Sequence, residues 1–391
     1  MIGSNYKKKY EHFQNRFDLP LIGATLFLLS WGTVMIYSTG GIYADLQYND
    51  GQYFLYRHLI HMLVGLVSMT VAVIVNYHHW QKYSIWLMLG ILVLLILVLI
   101  PEVGYEVKGG RRWLRFGSLS IQPAELLKVV LIIYVASYLE RKQEVLASFF
   151  RGLTPNFIVT GIYLFLVLLQ PDFGTVILIA TTVLLMLYVG GGRPIHIATS
   201  LIGVVIIGGI LIASHSYRVR RMLAFLNPWD DPQNAGFQII QSFIALGTGG
   251  WVGKGLGESL QKRLFLPDAH TDFIFAIIGE ELGFLWICVL ILLFSIFIWR
   301  GYWIAWNARD SFGKHLAFGA TTILGLQIIL NLFVVLGLLP TKGLPLPFIS
   351  YGGTSLVVAM FLTGILLNIS SNLEPNENGL ENTLTHKKKN E

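Results

Sequence analysis

The sequence is poor in cysteine and in charge. Cys288 is the only cysteine among the 391 residues, which excludes a disulfide or a thiol-ligated metal cluster within one chain. Charged residues make up 13% of the chain and hydrophobic residues 54%, so too little polar surface is available to cover a soluble globule. The Walker phosphate-loop pattern is missing too, so no nucleotide site of that kind is predicted. A lipid bilayer is therefore the expected solvent.

Long apolar runs take the place of a polar surface. A helix that crosses a bilayer needs about 20 largely apolar residues, and ten such runs predict an all-α integral membrane protein with about ten transmembrane helices. No small-residue cleavage pattern follows Tyr37, so the first run is expected to be a retained span and not a signal peptide. The runs lie near 19–37, 58–75, 84–100, 124–139, 156–169, 174–189, 195–213, 273–299, 316–339 and 351–369.

Polar segments divide the chain into one membrane domain and two tails. The ten-span domain is expected at 17–370, between an N-terminal tail at 1–16 and a C-terminal tail at 371–391. No span occurs over 214–272, between the seventh and eighth helices, which is far longer than an ordinary connection and predicts a large extracellular loop. Because long structured loops often carry function, the functional residues are expected here.

The loop 214–272 has local signals of its own. Turn-forming residues occur at 227–232, and 238–246 has the pattern of a short amphipathic helix. The glycine-rich segment, residues 247–257, contains six glycines, which permit close approach of the backbone to a ligand. The alternative for this segment is a mobile loop.

The placement of lysine and arginine predicts the orientation. With the N-terminus in the cytoplasm, just over half of the 28 basic residues fall in inner segments, and both termini are cytoplasmic. Most of the outer basic residues belong to two segments, 108–115 and 218–263, contrary to the usual bias. Basic residues kept on the disfavoured side suggest an anionic ligand there, although long translocated loops also escape the rule.

A polar cluster at 266–272 runs directly into the eighth apolar run. Asp272 would lie at the outer membrane boundary, where partial desolvation disfavours its charged form and suits it to act as a general base. The alternative is that Asp272 caps the helix. Glu280 and Glu281 lie two turns deeper, as partners of a basic residue or as substrate contacts. Consecutive carboxylates point about 100° apart, so at most one of the two should face the interior.

Two further segments carry charges near span boundaries. Glu125 and Lys128 are spaced i, i+3 on one helix face, either as structural glue or as part of a polar cavity. Upstream, Arg111 and Arg112 supply forked cation donors that serve either an anionic ligand or an interfacial anchor.

Two more charges accompany turn-forming residues. Lys342 lies in the proline- and glycine-rich stretch 339–354, which cannot continue a helix and would project a cation into the outer region. Asp172, in a turn between the fifth and sixth runs, is expected to cap the sixth.

Seven blocks of the sequence combine glycine, proline, charged and aromatic residues in long, specific motifs. They are Gly110–Leu114, Gln122–Glu125, Gln170–Gly174, Gly247–Gly257, His270–Gly283, Leu339–Gly343 and Ile349–Gly353. These blocks resemble the shape, elongation, division and sporulation (SEDS) family, whose members include FtsW, RodA and SpoVE. Within that family, residues 221–230 and 257–262 look more like the FtsW and SpoVE branch than the RodA branch.

The resemblance implies a ten-span peptidoglycan glycosyltransferase in the bacterial cytoplasmic (inner) membrane. It would polymerise lipid II into glycan strands at the outer face and release undecaprenyl pyrophosphate. Its partners would be a class B penicillin-binding protein transpeptidase and other division or elongation membrane proteins, with no nucleic acid. Asp272 matches the proposed catalytic carboxylate of the family. The other charged positions that match its active cavity are Arg112, Glu125, Lys128 and Lys342.

The resulting hypothesis is that Asp272 deprotonates a sugar hydroxyl, which attacks an anomeric carbon as the lipid pyrophosphate leaves. Negative charge develops on that leaving group, which cations can stabilise. A divalent cation, Mg or Mn, is a possible helper, and no covalent cofactor is expected. The candidate substrate-binding residues are Arg111, Arg112, Glu125, Lys128, Arg218, His270, Glu280 and Lys342.

Two other functions fit the same charges. A lipid II flippase would also need polar groups such as Glu125, Lys128 and Glu280 inside a ten-span bundle. A scaffold that recruits a penicillin-binding protein would need no chemistry of its own. Location separates the first alternative from an enzyme, because a flippase needs a path open to both faces whereas the proposed catalytic motifs cluster at one.

Overall fold

Helices dominate the computed structural model, which describes residues 17–373 apart from 108, 118, 214, 215, 235 and 264. The proposed tail 1–16 and most of the tail 371–391 lie outside these residues. The helices are α1 (Leu19–Tyr48), α2 (Tyr53–Ile74), α3 (Tyr77–Lys82), α4 (Ser84–Leu97), α5 (Pro123–Arg141), α6 (Thr154–Leu168), α7 (Phe173–Val189), α8 (Pro194–Ala213), α9 (Ser216–Leu226), α10 (Phe237–Gly249), α11 (Ile274–Asn307), α12 (Ser311–Val335) and α13 (Gly353–Ser370).

Each of the ten apolar runs coincides with one of these helices. Six helical segments have both the length and the hydropathy of a membrane span, and α4, α7 and α8 are shorter apolar helices. The remaining run is α5, which carries Glu125 and Lys128 within its apolar sequence. The expectation of a many-helix membrane protein is confirmed.

A small sheet departs from the all-α expectation. Strands β1 (Gly104–Val107), β2 (Gly110–Phe116) and β3 (Leu119–Ile121) form an antiparallel sheet in the order β1-β2-β3. Gly109 and Gly117 adopt φ values of 77° and 61°, which glycine tolerates where other residues are strained. These two turns let a short basic segment fold back on itself, an arrangement that a search for apolar runs does not detect.

The long connection between α8 and α11 is structured. Helix α10 confirms the predicted short amphipathic helix, and a 3₁₀ turn at Pro228–Asp230 occupies the predicted turn region. Helix α9 was not predicted from the sequence. Beyond the connection, α11 is interrupted at Gly283, whose φ of 80° and ψ of −176° divide it into 274–282 and 284–307.

The glycine-rich segment packs against this interruption. The backbone N–H of Lys254 donates to the carbonyl of Glu280 (3.0 Å), and that of Phe284 donates to the carbonyl of Gly250 (2.9 Å). A Cβ atom on Gly253 would lie only 2.1 Å from the carbonyl oxygen of Glu281, so only glycine fits there. The backbone of the glycine-rich segment does approach another group closely, as expected, and that group is the α11 backbone at the Gly283 interruption.

Two opposite ends of the helix bundle differ in how they are held. At the Asp18 end, where α1 and α12 begin, Asp18 caps α1 and accepts a hydrogen bond from Arg300 Nε (3.0 Å). Asp310 similarly caps α12 and accepts a hydrogen bond from Tyr77. At the Asp272 end, α11 and α13 begin and α12 ends. The proline-rich loop, residues 336–352, joins α12 to α13 there without helical structure.

Candidate functional site

Asp272 lies half-buried immediately before α11. The N-cap position belongs to Phe273, whose side chain cannot accept a hydrogen bond, so Asp272 stands one residue outside it. Its carboxylate faces Gly343 of the proline-rich loop, where an added Cβ atom would lie 3.2 Å from Oδ2. The absence of a side chain at Gly343 therefore leaves room beside the carboxylate.

Hydrogen bonds to three successive backbone carbonyls hold the Asp272 segment in place. The Asn331 amide donates to the carbonyl of Asp272 (2.8 Å), and the Ser350 hydroxyl donates to the carbonyl of Thr271 (2.6 Å). The N–H of Tyr351 donates to the carbonyl of His270 (3.0 Å). Because all three donors lie on α12 or in the proline-rich loop, these elements fix the backbone that carries Asp272.

The side chain of His270 packs among aromatic rings. Its ring centroid lies 4.6 Å from that of Phe54 and 5.4 Å from that of Tyr43. Tyr351 completes the cluster, and burial raises the pKa of its hydroxyl to about 12, so the phenol stays protonated at neutral pH. The cluster ties α1 and α2 to the segment that precedes Asp272.

Lys342 belongs to the same loop, one residue before Gly343. It is half-buried, and within the described part of the chain it forms no ion pair. Burial lowers the pKa of its amine. A desolvated cation near a carboxylate that is a candidate base has the chemistry to receive an anionic group.

Glu125 and Lys128 form a buried ion pair with 2.7 Å between Lys128 Nζ and Glu125 Oε1. Lys128 Nζ also donates to the side-chain oxygen Oε1 of Gln327 (2.9 Å), and Nε2 of the same side chain donates to the backbone carbonyl of Pro345 (2.8 Å). The pair is bonded within the protein, as in the structural-glue alternative, but Glu125 Oε2 is buried without a hydrogen-bond partner among the described residues. The pair is also connected through Gln327 to the loop that carries Lys342.

Arg112 supports a turn. Its Nε donates to the carbonyl of Gln170 (2.9 Å) and its Nη2 to that of Pro171 (2.8 Å). The next residue, Asp172, accepts from the N–H of Thr175 (3.2 Å), which confirms the predicted cap of α7. The neighbouring Arg111 is partly exposed and pairs with Glu106 (3.4 Å) within the sheet, away from the contacts around Asp272.

Glu280 and Glu281 are both fully buried, so the expectation that at most one faces the interior is wrong. Glu280 pairs with Lys254 Nζ (2.7 Å), and Glu281 pairs with Lys262 Nζ (2.8 Å). Helical geometry does separate the two carboxylates, but the connection that follows the glycine-rich segment covers both sides. Glu280 is thus the partner of a basic residue. It anchors residues 254–262 and accepts hydrogen bonds from the backbone N–H groups of Leu260 and Gln261.

A cavity of about 430 Å³ reaches from α9 to Thr341 of the proline-rich loop. Its cations, Arg220 and Arg221, were not singled out from the sequence, although the amphipathic pattern of α9 was a usable signal. The side chain of Arg218, the predicted cation of this region, lies outside the described residues. The cavity is lined by Arg220, Arg221, Asp231, Asn234, Phe237, Gln238, Pro267 and Thr341.

Comparison with known sequences matches this chain over nearly its whole length. The model of the FtsW, RodA and SpoVE family, described as cell cycle protein, matches residues 19–374. A probable peptidoglycan glycosyltransferase FtsW of Geobacter metallireducens is 44% identical over 370 residues, covering 95% of this chain and 98% of the relative. Stage V sporulation protein E of Bacillus subtilis is 41% identical over 355 residues, covering 90% and 96%.

Solved structures show the same fold. One chain, from a structure described as "Structural coordination of polymerization and crosslinking by a peptidoglycan synthase complex", superposes with a TM-score of 0.75 at 28% identity, covering 90% of this chain and 97% of that one. The crystal structure of the rod shape determining protein RodA of Thermus thermophilus gives a TM-score of 0.69 at 24% identity, covering 92% and 98%.

Proposed function

This chain belongs to the FtsW, RodA and SpoVE family and is a peptidoglycan glycosyltransferase of the cell membrane, and we propose that it polymerises lipid II at the outer face. The observation that carries the proposal is the arrangement around Asp272. A half-buried carboxylate is fixed through its backbone and lies beside Gly343, the residue that follows the desolvated Lys342 in the chain. The predicted membrane orientation places this end outside, where the polymer must form.

In the proposed reaction, Asp272 accepts the proton of a sugar hydroxyl on the incoming lipid II. The hydroxyl oxygen then forms a bond to the anomeric carbon at the end of the growing glycan. The bond from that carbon to the lipid pyrophosphate breaks, and the electron pair leaves with the phosphate oxygen. Proton acceptance by a positioned carboxylate contributes about 10²–10⁴-fold to such reactions.

The departing undecaprenyl pyrophosphate carries negative charge. Lys342 is a candidate to receive it, because this lysine immediately precedes Gly343, which lies against the Asp272 carboxylate. Arg220 and Arg221 line the adjacent cavity, whose far wall includes Thr341. Cations arranged in a desolvated site stabilise developing charge more effectively than they do in water. We assign the pyrophosphate to these cations. Arg112 instead supports the backbone of the turn at Gln170 and Pro171, and Glu125 pairs with Lys128.

We propose a divalent cation only because the phosphate groups of the substrate could bind one. Among the described residues, no three histidine, cysteine or acidic side chains gather into a metal-binding group. Mg²⁺ commonly keeps several waters and takes its other ligands from substrate phosphates. A bound ion would supply further charge neutralisation at the pyrophosphate, whereas this chain's own contribution there is the cations.

The proposed partner is a class B penicillin-binding protein. Support comes from the structural relative at TM-score 0.75, which was solved as part of a peptidoglycan synthase complex that coordinates polymerisation and crosslinking. A translocation function gains no specific support, because Glu125, Lys128 and Glu280 are closed into ion pairs with the protein itself.

The test is glycan polymerisation from purified lipid II by the full chain, alone and with its penicillin-binding partner. We expect Asp272→Asn to lower the rate by about 10³-fold while the thermal unfolding temperature stays near that of the wild type. Asp50→Asn is the matched control, since Asp50 is exposed and its contact with the N–H of Gln52 survives in asparagine. Retention of most of the activity by a folded Asp272→Asn protein would refute the assignment of the base.

A further inference from the structure

Asn331 occupies an unusual position on α12. The residue is only 2% exposed, on a helix whose buried face is mostly apolar. The amide nitrogen donates to two backbone carbonyls, that of Asp272 (2.8 Å) and that of Leu344 (2.8 Å). One side chain therefore bridges the segment that carries the candidate base and the loop that carries Lys342.

Both partners are acceptors, and this fixes the orientation of the amide. The reversed amide would place Oδ1 against two carbonyl oxygens, which repel it. Within the described residues Oδ1 itself has no hydrogen-bonding partner. A buried amide oxygen without a partner destabilises the folded state. Asn331 is thus retained at some cost for its two donors.

Gln327 repeats the arrangement one helical turn earlier. Its amide nitrogen donates to the carbonyl of Pro345 (2.8 Å), and its oxygen accepts from Lys128. Residues four apart lie on one face of a helix. Helix α12 therefore presents two amides to the successive carbonyls of Leu344 and Pro345, but only the Asn331 amide also reaches Asp272.

We propose that Asn331 is a positioning residue that sets the separation between the Asp272 carboxylate and the Lys342 loop. The proposal rests on the polymerase function described above. Each donor holds one of the two segments, so loss of the amide lets them move apart. A displacement of about 1 Å in a reacting group can lower a rate about 10²-fold.

The alternative is that Asn331 only stabilises the fold, and Asn368 provides the control for it. Asn368 is also buried, on α13 at the Asp18 end, where its Oδ1 accepts from the N–H of Tyr77 (3.1 Å) and its amide donates to the carbonyl of Val73. Asn331→Leu and Asn368→Leu each remove two hydrogen bonds with little change in volume. We expect both to lower the thermal unfolding temperature.

Only Asn331→Leu is expected to lower kcat, by about 10- to 100-fold per folded molecule, with KM for lipid II within about 2-fold of the wild type. Equal kcat values for Asn331→Leu, Asn368→Leu and the wild type would overturn the proposal. If the wild type itself does not polymerise lipid II with its partner present, the proposed function fails instead, so the two failures are distinguishable.

Asn331→Asp gives a second test that survives a failure of Asn331→Leu to fold. A protonated carboxyl at this position can restore one of the two donated hydrogen bonds, whereas a carboxylate restores none. We expect kcat relative to the wild type to rise as the pH falls. The charged residues on the two segments that Asn331 bridges are Asp272 and Lys342, and Gln327 on the same helix contacts Lys128 of the Glu125–Lys128 pair. All of them are also present in the wild-type reference. A ratio that is flat or falls with decreasing pH would refute the positioning role.

Discussion

The two ends of the helix bundle use charge differently. At the Asp18 end, Asp18 and Asp310 cap helices and are themselves held by Arg300 and Tyr77. At the Asp272 end Asp172 also caps a helix, but neutral amide and hydroxyl groups hold the backbone around Asp272, and Lys342 forms no ion pair within the described residues. The Asp18 end uses these charges to stabilise the fold, and the Asp272 end in addition keeps a cation available for a ligand.

The same contrast appears along α11. Its N-terminal part, 274–282, ends at the Gly283 interruption with Glu280 and Glu281 in ion pairs, whereas Asp272 lies before its first turn beside a glycine. Carboxylates separated by about two turns of one element therefore have different surroundings. Burial against a basic partner makes Glu280 and Glu281 structural, whereas Asp272 is only half-buried and lies beside a glycine, which fits its proposed role as the base.

The largest expected effect at the Asp18 end is on stability. Arg300→Met would leave the nearly buried Asp18 without its cation, and loss of one partner of a buried ion pair costs about 3–5 kcal/mol. We expect a lower thermal unfolding temperature and an unchanged kcat per folded molecule. Arg309→Met, at an exposed arginine of the same end, is the control and should change neither quantity appreciably. A large loss of kcat in folded Arg300→Met would show that charges at the Asp18 end also serve catalysis, and would contradict the proposed difference between the two ends.

At the Asp272 end, removal of a cation should not lower the unfolding temperature. Lys342→Met removes a desolvated cation that forms no ion pair within the described residues, so the unfolding temperature should stay level or rise. The value of kcat/KM for polymerisation should fall by about 10- to 100-fold, because the pyrophosphate loses a cation. Destabilisation together with full activity would show that Lys342 is structural like Arg300.

The sequence predicted the membrane spans and the candidate base better than it predicted the contacts that position the base. Hydropathy located the spans because a bilayer imposes a minimum length of apolar helix, and the block around Asp272 identified the candidate base. The partners of Asn331 lie far apart in sequence, at Asp272 and Leu344, and no spacing rule connects them. Their juxtaposition required the structure.

The glycine-rich segment shows the same limit. Its composition indicated that a backbone would approach closely, but composition does not say which backbone, and the structure supplies the interruption of α11. The sheet was missed for a related reason: strands of three to seven residues contribute no long apolar run. Local signals predicted local conformations, whereas the partner of each surface depended on the tertiary arrangement.

The smallest expected effect is a shift in pH dependence that sharpens the assignment of Lys342. Burial lowers the pKa of Lys342 below its usual value, so in the free enzyme this cation is lost at a lower pH than that of an exposed lysine. Since kcat/KM reports ionisations of the free enzyme, its alkaline limb should fall as Lys342 loses its proton. Bound pyrophosphate favours the charged amine, so the alkaline limb of kcat should lie at higher pH than that of kcat/KM.

Lys342→Arg separates this ionisation from others in the assay. Arginine stays protonated throughout the accessible range, so the alkaline limb of kcat/KM should move to higher pH even if the maximal rate is reduced. The measurement is lipid II polymerisation by the full chain with its partner, over a pH series for both proteins. Coincident alkaline limbs would mean that another group sets the limb and that the cation at the Asp272 end is not the one that titrates. A shifted limb would link the lowered pKa of Lys342 directly to recognition of an anionic group, a property that the paired charges of the Asp18 end do not have.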